Sequence, residues 1–138
     1  MNAHPAFQSG TGSEDGRPLA PLMGAFSDYD GGVTFFDVGP TSNFLAYPDH
    51  GLIYRFIPKL ADATDMEVIW LVRSGAREGS DYDRERLTWL WRVTSAADKR
   101  IIELNQQGIN SRSYEPGPYT PMEQHTRRFV EWLLGELR

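Results

Sequence analysis

The sequence predicts an α+β domain in which a curved antiparallel β-sheet grips a long carboxy-terminal helix. Two patterns and one bulk property predict it. β-branched and aromatic runs crowd between residues 33 and 73 with turn-sized gaps, which suits antiparallel pairing and leaves no room for crossover helices. Helical periodicity then takes over, ending in a long apolar stripe near the carboxy terminus. The 138 residues are 40% apolar and 12% aromatic, enough for one core and unlike a disordered chain.

Composition narrows the function. A net charge of −5 argues against nucleic acid and acidic membranes as partners. The absence of cysteine excludes disulfides, thiolate zinc sites and an iron–sulfur cluster held by these residues. No apolar run approaches the roughly 18 residues that a membrane span needs. The start, MNAHPAFQSG, has neither a basic n-region nor a hydrophobic h-region, so a cytoplasmic protein is expected.

Residues 1–31 read as a loop-rich amino-terminal segment, and residues 32–138 as a partial helix-and-sheet domain. Within the first, Leu19–Met23 is a short apolar contact in a stretch rich in Gly, Ser, Pro and Asp. A loop this long inside a compact domain is uncommon, so it is expected either to cover a site or to have been cut from surroundings missing from this sequence. The strands are Val33–Val38, ended by Gly39-Pro40; Asn43–Tyr47, ended by the turn Pro48–Gly51; Leu52–Ile57, ended by Pro58; and Glu67–Arg73. Ser74–Tyr82 is a loop. Asp83–Val93 begins a helix with Leu87, Leu90 and Trp91 inward, although its alternation also fits a strand. A second helix ends near Gly108 and places Asp98, Ile101, Ile102, Asn105 and Gln106 on one face. The isoleucines turn that face inward, and Asp98 with it. A third helix, Pro121–Leu137, carries Met122, Thr126, Phe129, Val130, Leu133 and Leu137 on its apolar stripe.

A buried carboxylate needs a hydrogen bond, a cation or a metal. Ser95 and Asp98 have capping-box spacing, which gives Asp98 a purely structural reading. Of the three histidines, His4 reads as solvated, His50 as bonded within its turn and His125 as partly buried. No two have metal-motif spacing, and there is no phosphate loop or nucleophile elbow. Glu78, Asp81, Asp83 and Glu85, interspersed with Arg84 and Arg86, read as a solvated face. Trp89, Trp91 and Trp132 read as core.

One ordered set of motifs goes further. Trp70-Leu71-Val72, Glu78-Gly79-x-Asp81-Tyr82-Asp83, Leu87-Thr88-Trp89-Leu90-Trp91, Thr94-x-x-x-Asp98 and Asn105-Gln106-x-Gly108-x-Asn110-Ser111-x-x-Tyr114-Glu115-Pro116-Gly117-Pro118-Tyr119 follow one another. Together they resemble the catalytic domain of Rieske non-heme iron oxygenase α subunits, in the branch of glycine-betaine demethylases and choline- and carnitine-type monooxygenases. The resemblance covers residues 19–137. It implies a helix-grip fold, in an incomplete copy, around a mononuclear Fe(II) held by two histidines and one carboxylate. Asp98 matches the carboxylate. His4-Pro5 resembles the end of the family's His-x-x-x-x-His-Pro motif, which makes His4 the second iron histidine and leaves the first without a counterpart. The family's [2Fe–2S] domain has no counterpart either.

The resemblance further implies O₂-dependent hydroxylation or N-demethylation of a small, quaternary-ammonium-type substrate, with Trp89, Trp91, Tyr82 and Tyr119 as pocket aromatics. It also implies a reductase or a partner bearing a Rieske domain, and a homo-oligomer. The alternative is a non-catalytic remnant or a metal-free helix-grip module that binds a ligand.

Overall fold

Four strands follow one another in sequence and in space in the computed structural model, which describes residues 10–29 and 32–138. They are β1 (Thr34–Asp37), β2 (Ser42–Ala46), β3 (His50–Leu60) and β4 (Ala63–Val72). The sheet order is β1-β2-β3-β4 and every neighbouring pair is antiparallel. Short gaps between β-formers favour this meander, as the sequence indicates.

The register lines up two apolar rows across all four strands. Phe35, Leu45, Leu52 and Trp70 share one face, and Phe36, Phe44, Ile53 and Ile69 the other. Leu52 is fully buried at the middle of the first row. Tyr54 and His50 lie on the Leu52 face, two residues to either side along β3.

Two strands are longer than the sequence predicts. Pro58 does not end β3; the strand runs on to Leu60, with a register shift between Pro58 and Leu60. Such an irregularity is where a strand tolerates a residue that lacks an N–H. The polar stretch after it contracts to a tight Ala61-Asp62 connection, with Leu60 paired to Ala63. The turn before β3 also shrinks, because the Tyr47 amide donates to the His50 carbonyl at 2.9 Å and draws His50 and Gly51 into the ladder.

The two helices expected between residues 83 and 108 are one continuous helix, α1 (Arg84–Ile109). Asp83 caps it, its Oδ1 accepting from the Arg86 amide at 2.8 Å. Ser95 and Asp98 therefore sit inside a helix and form no capping box. No glycine or proline interrupts residues 84–107, and a break would strand backbone donors and acceptors on both sides. The Thr94 hydroxyl donates to the Leu90 carbonyl, so even this β-branched residue is accommodated within the helix.

The chain divides into two compact units, Met1–Ala96 and Ala97–Arg138. The second holds the last turns of α1, an irregular stretch, a short 3₁₀ turn at Pro121–Glu123 and α2 (Gln124–Glu136). The 3₁₀ turn is capped by the Glu123 carboxylate, which accepts from the Thr120 amide at 2.7 Å. In this unit the expected inward faces are exposed: Ile101 is 64% and Ile102 66% accessible, and Met122 reaches 92%. Asp98 is exposed with them. Periodicity identifies which residues share a face, but it does not supply a surface to cover them. The class is α+β, as expected, and consistent with a helix-grip-like catalytic domain.

Candidate functional site

The most completely buried polar group lies where β2 turns into β3. Asp49 and His50 are both inaccessible, and Thr11 is 1% exposed. The Asp49 carboxylate collects three donors. Oδ1 accepts from the Thr11 hydroxyl at 2.5 Å and pairs with His50 Nδ1 at 2.9 Å. Oδ2 accepts from the Leu19 amide at 2.8 Å.

Burial alone pushes this carboxyl upward. The hydrogen bonds from His50, Thr11 and Leu19 outweigh that and hold it below the usual carboxylate value. A carboxylate can only accept, so in the neutral imidazole Nδ1 carries the proton and Nε2 is the free acceptor.

An aromatic layer continues from this pair along the same face of the sheet. Tyr47 stacks on the His50 ring with centroids 4.9 Å apart. Trp91 of α1 packs against Tyr47 at 6.3 Å and edge-on to Tyr54 at 6.2 Å. Gly12 approaches the Tyr47 ring so closely that a Cβ there would lie 2.9 Å from it. Three buried nitrogens, His50 Nε2, Trp70 Nε1 and Trp91 Nε1, have no hydrogen-bond partner among the described residues.

Two open clefts flank α1 on the amino-terminal side of this layer. One, of 260 Å³, is lined by Ser13, Asp15 and Leu19 on one wall and by Arg86, Trp89 and Arg92 on the other. The second, of 500 Å³, runs between residues Pro18–Pro21 and the Gly79–Asp83 loop, and includes Tyr82. Arg86 borders both, with Nη2 3.8 Å from the Asp15 carboxylate.

The residues expected to act are therefore distributed. Trp89 and Tyr82 line different clefts, and Trp91 belongs to the aromatic layer. Tyr119, half exposed, lies in the irregular stretch of the second unit. Asp98 is on an exposed face of α1, and His4 lies outside the described residues. The acids of the 78–85 cluster are on the surface: Glu78 pairs with Arg84 and Glu85 with Arg92, while Asp81 accepts from the Arg77 amide. Iron of the facial-triad kind needs three donors together. Among the described residues no three His, Cys, Asp or Glu side chains are grouped to hold a metal, so the described part does not by itself fit one.

Sequence reasoning anticipated a hydrogen bond for His50 inside its turn, and Asp49 supplies it. It did not anticipate the burial of the pair, or Thr11 and Leu19 as partners. Those contacts join residues 30 to 39 positions apart, and no local pattern encodes them. The one available signal was a charged dipeptide, Asp49-His50, leading directly into a strand.

Comparison with known proteins completes the picture. Residues 2–137 match the family described as ring hydroxylating alpha subunit (catalytic domain). A glycine betaine monooxygenase oxygenase subunit of Chromohalobacter salexigens is 38% identical over 120 residues, which is 86% of this chain and 27% of that protein. Proteins of the same description from two strains of Pseudomonas aeruginosa are 41% identical over 85 residues, 61% of this chain and 20% of theirs. The chain thus spans about a quarter of the length of these relatives. Among the described residues no helix is long and apolar enough to cross a membrane.

Proposed function

The chain belongs to the ring-hydroxylating α-subunit family, in its catalytic domain, and from that premise we propose that it is the catalytic portion of a Rieske-type non-heme iron oxygenase. The observation that carries this reading is the match over residues 2–137, nearly the whole chain. In this reading the reaction is O₂-dependent hydroxylation or N-demethylation of a small substrate. The names of the relatives, glycine betaine monooxygenase oxygenase subunits, favour a quaternary ammonium compound.

Asp98 and His4 are the proposed ligands of a mononuclear Fe(II). That ion, when bound, supplies the O₂ activation. With no cysteine in these residues, electrons come from a Rieske cluster outside them, through a reductase or a cluster-bearing partner. Trp89, Trp91, Tyr82 and Tyr119 are the proposed aromatic contacts for a cationic substrate. Trp89 lines a cleft with Arg86 and Arg92, Tyr82 lines the second cleft, and Tyr119 is half exposed.

A second reading has a specific observation behind it. Asp98 shares its exposed surface with Ile101 and Ile102, and the described residues gather no three metal donors. That arrangement suits a metal-free helix-grip module that binds a ligand or a partner.

Metal analysis separates the two. On the oxygenase reading the purified protein takes up close to one Fe(II) per chain, and Asp98→Asn abolishes uptake while circular dichroism stays unchanged. A well-folded protein that takes up no iron, with or without a supplied partner, leaves only the metal-free module.

A further inference from the structure

We propose that residues 10–21 form a strap that opens and closes as a unit over the Asp49–His50 pair, with Asp49 as its latch.

The first support is how the strap is held. It contains no helix or strand. Its own backbone bonds, Gly10 to Gly16 at 3.1 Å and Ser13 to Thr11 at 3.0 Å, turn it upon itself rather than onto the sheet. Its direct hydrogen bonds to the end of the sheet centre on one carboxylate, from the Thr11 hydroxyl and the Leu19 amide, with a longer contact of 3.3 Å from the same hydroxyl to His50 Nδ1. Gly12 lies flat against Tyr47 and has no side chain to key into it. Leu19 is the buried apolar group that opening exposes, and it lies next to the carboxy-terminal end of the strap, where Ala20 is also buried.

The second support is an opposing term built into the closed position. His50 Nε2 is buried and has no partner among the described residues. A buried polar atom without a hydrogen bond is unfavourable, and it lies in the same ring whose other nitrogen the strap's Thr11 contacts. The closed position therefore rests chiefly on the hydrogen bonds gathered by Asp49, beside a ring that carries one unmade bond. Segments with few bonds to the core are the ones that open locally, below the free energy of global unfolding.

The third support is what the strap covers. It forms one wall of both clefts on α1, so its position sets access to Trp89 and Arg86. The Arg86–Asp15 contact across the first cleft is long and exposed, and holds it only weakly. At the carboxy-terminal end of the strap the Tyr29 hydroxyl donates to the Ala20 carbonyl at 2.9 Å, and beyond it the Met23 amide donates to the Pro48 carbonyl at 2.7 Å. These bonds anchor the chain on its far side and place the hinge near residues 20–23.

This strap does not depend on iron or on the oxygenase reading. Residue-resolved amide exchange on the full chain tests it, because the Leu19 amide is itself a latch bond. In the native protein that amide is expected to exchange roughly tenfold or more faster than the slowest amides of the β3–β4 ladder, the mark of sub-global opening. Asp49→Asn and the gentler Thr11→Val should each speed Leu19 further and leave the ladder rates alone. Thr11→Val keeps the side-chain shape and removes only the donated bond, so it stands even if Asp49→Asn fails to fold. Leu19 exchanging in step with the ladder, or unmoved by Thr11→Val, overturns the strap.

Discussion

A single carboxylate organises the amino-terminal part of this protein. Asp49 is inaccessible yet takes three hydrogen bonds, and its carboxyl is held below the usual value. The unfolded chain therefore takes up the Asp49 proton more readily than the folded one. The stabilisation is fully present above the unfolded carboxyl value of about 4 and is lost as pH falls through the lower folded value. Asp49→Asn should cost about 3 kcal/mol near neutral pH, since it leaves His50 and Thr11 with a mismatched buried partner. The gap between variant and native protein should begin to narrow below about pH 4, where the unfolded carboxyl takes up its proton, and close only once pH passes below the lower folded value. Urea denaturation at neutral and acidic pH measures both. Curves that stay parallel down to acid pH would mean that the charge on Asp49 contributes nothing.

At the scale of elements, the behaviour of α1 separates two carboxylates that look alike in the sequence. Asp83 accepts from the Arg86 amide at the start of the helix, whereas Asp98 lies in its interior and caps nothing. Asp83→Ala should lower stability by about 1 kcal/mol, the usual loss of an N-cap. Asp98→Asn should leave helix content and melting temperature unchanged. A drop in helicity for Asp98→Asn would revive a structural role for that residue.

The strands from residue 33 to 73 were legible because each run of β-formers is local, and the meander needs only neighbours to pair. The boundary between two predicted helices was not legible. Ser-x-x-Asp spacing is a weak start signal inside a stretch that already propagates as helix. The extension of β3 through Pro58 was hidden for a similar reason: whether a proline stops a strand depends on the register of its partner. In the candidate site, the turn bond of His50 could be read, while Thr11 and Leu19 come from far away in the chain.

Taken as a molecule, the protein is unevenly covered. Residues 1–96 bury Leu19, Ala20, Leu52 and Leu87, whereas in residues 97–138 no described side chain is buried. Ile101, Ile102, Leu104 and Leu134 are each more than half accessible. Exposed apolar side chains gathered in a patch are a common mark of contact with another polypeptide, and Ile101 and Ile102 sit side by side on α1. The chain spans about a quarter of the length of its relatives, so in those proteins such surface has far more polypeptide available to meet it.

The stability consequence is specific. A side chain that is already in water loses little when it is made polar, so Ile101→Gln with Ile102→Gln should change unfolding free energy by no more than about 0.5 kcal/mol. The same pair should reduce self-association and dye binding to exposed apolar surface, read by sedimentation and by anilinonaphthalene sulfonate fluorescence. If instead the double variant melts well below the native protein, these isoleucines are buried in solution. The inward-facing helix face that periodicity predicts would then form on assembly, with Asp98 carried inside on the same face.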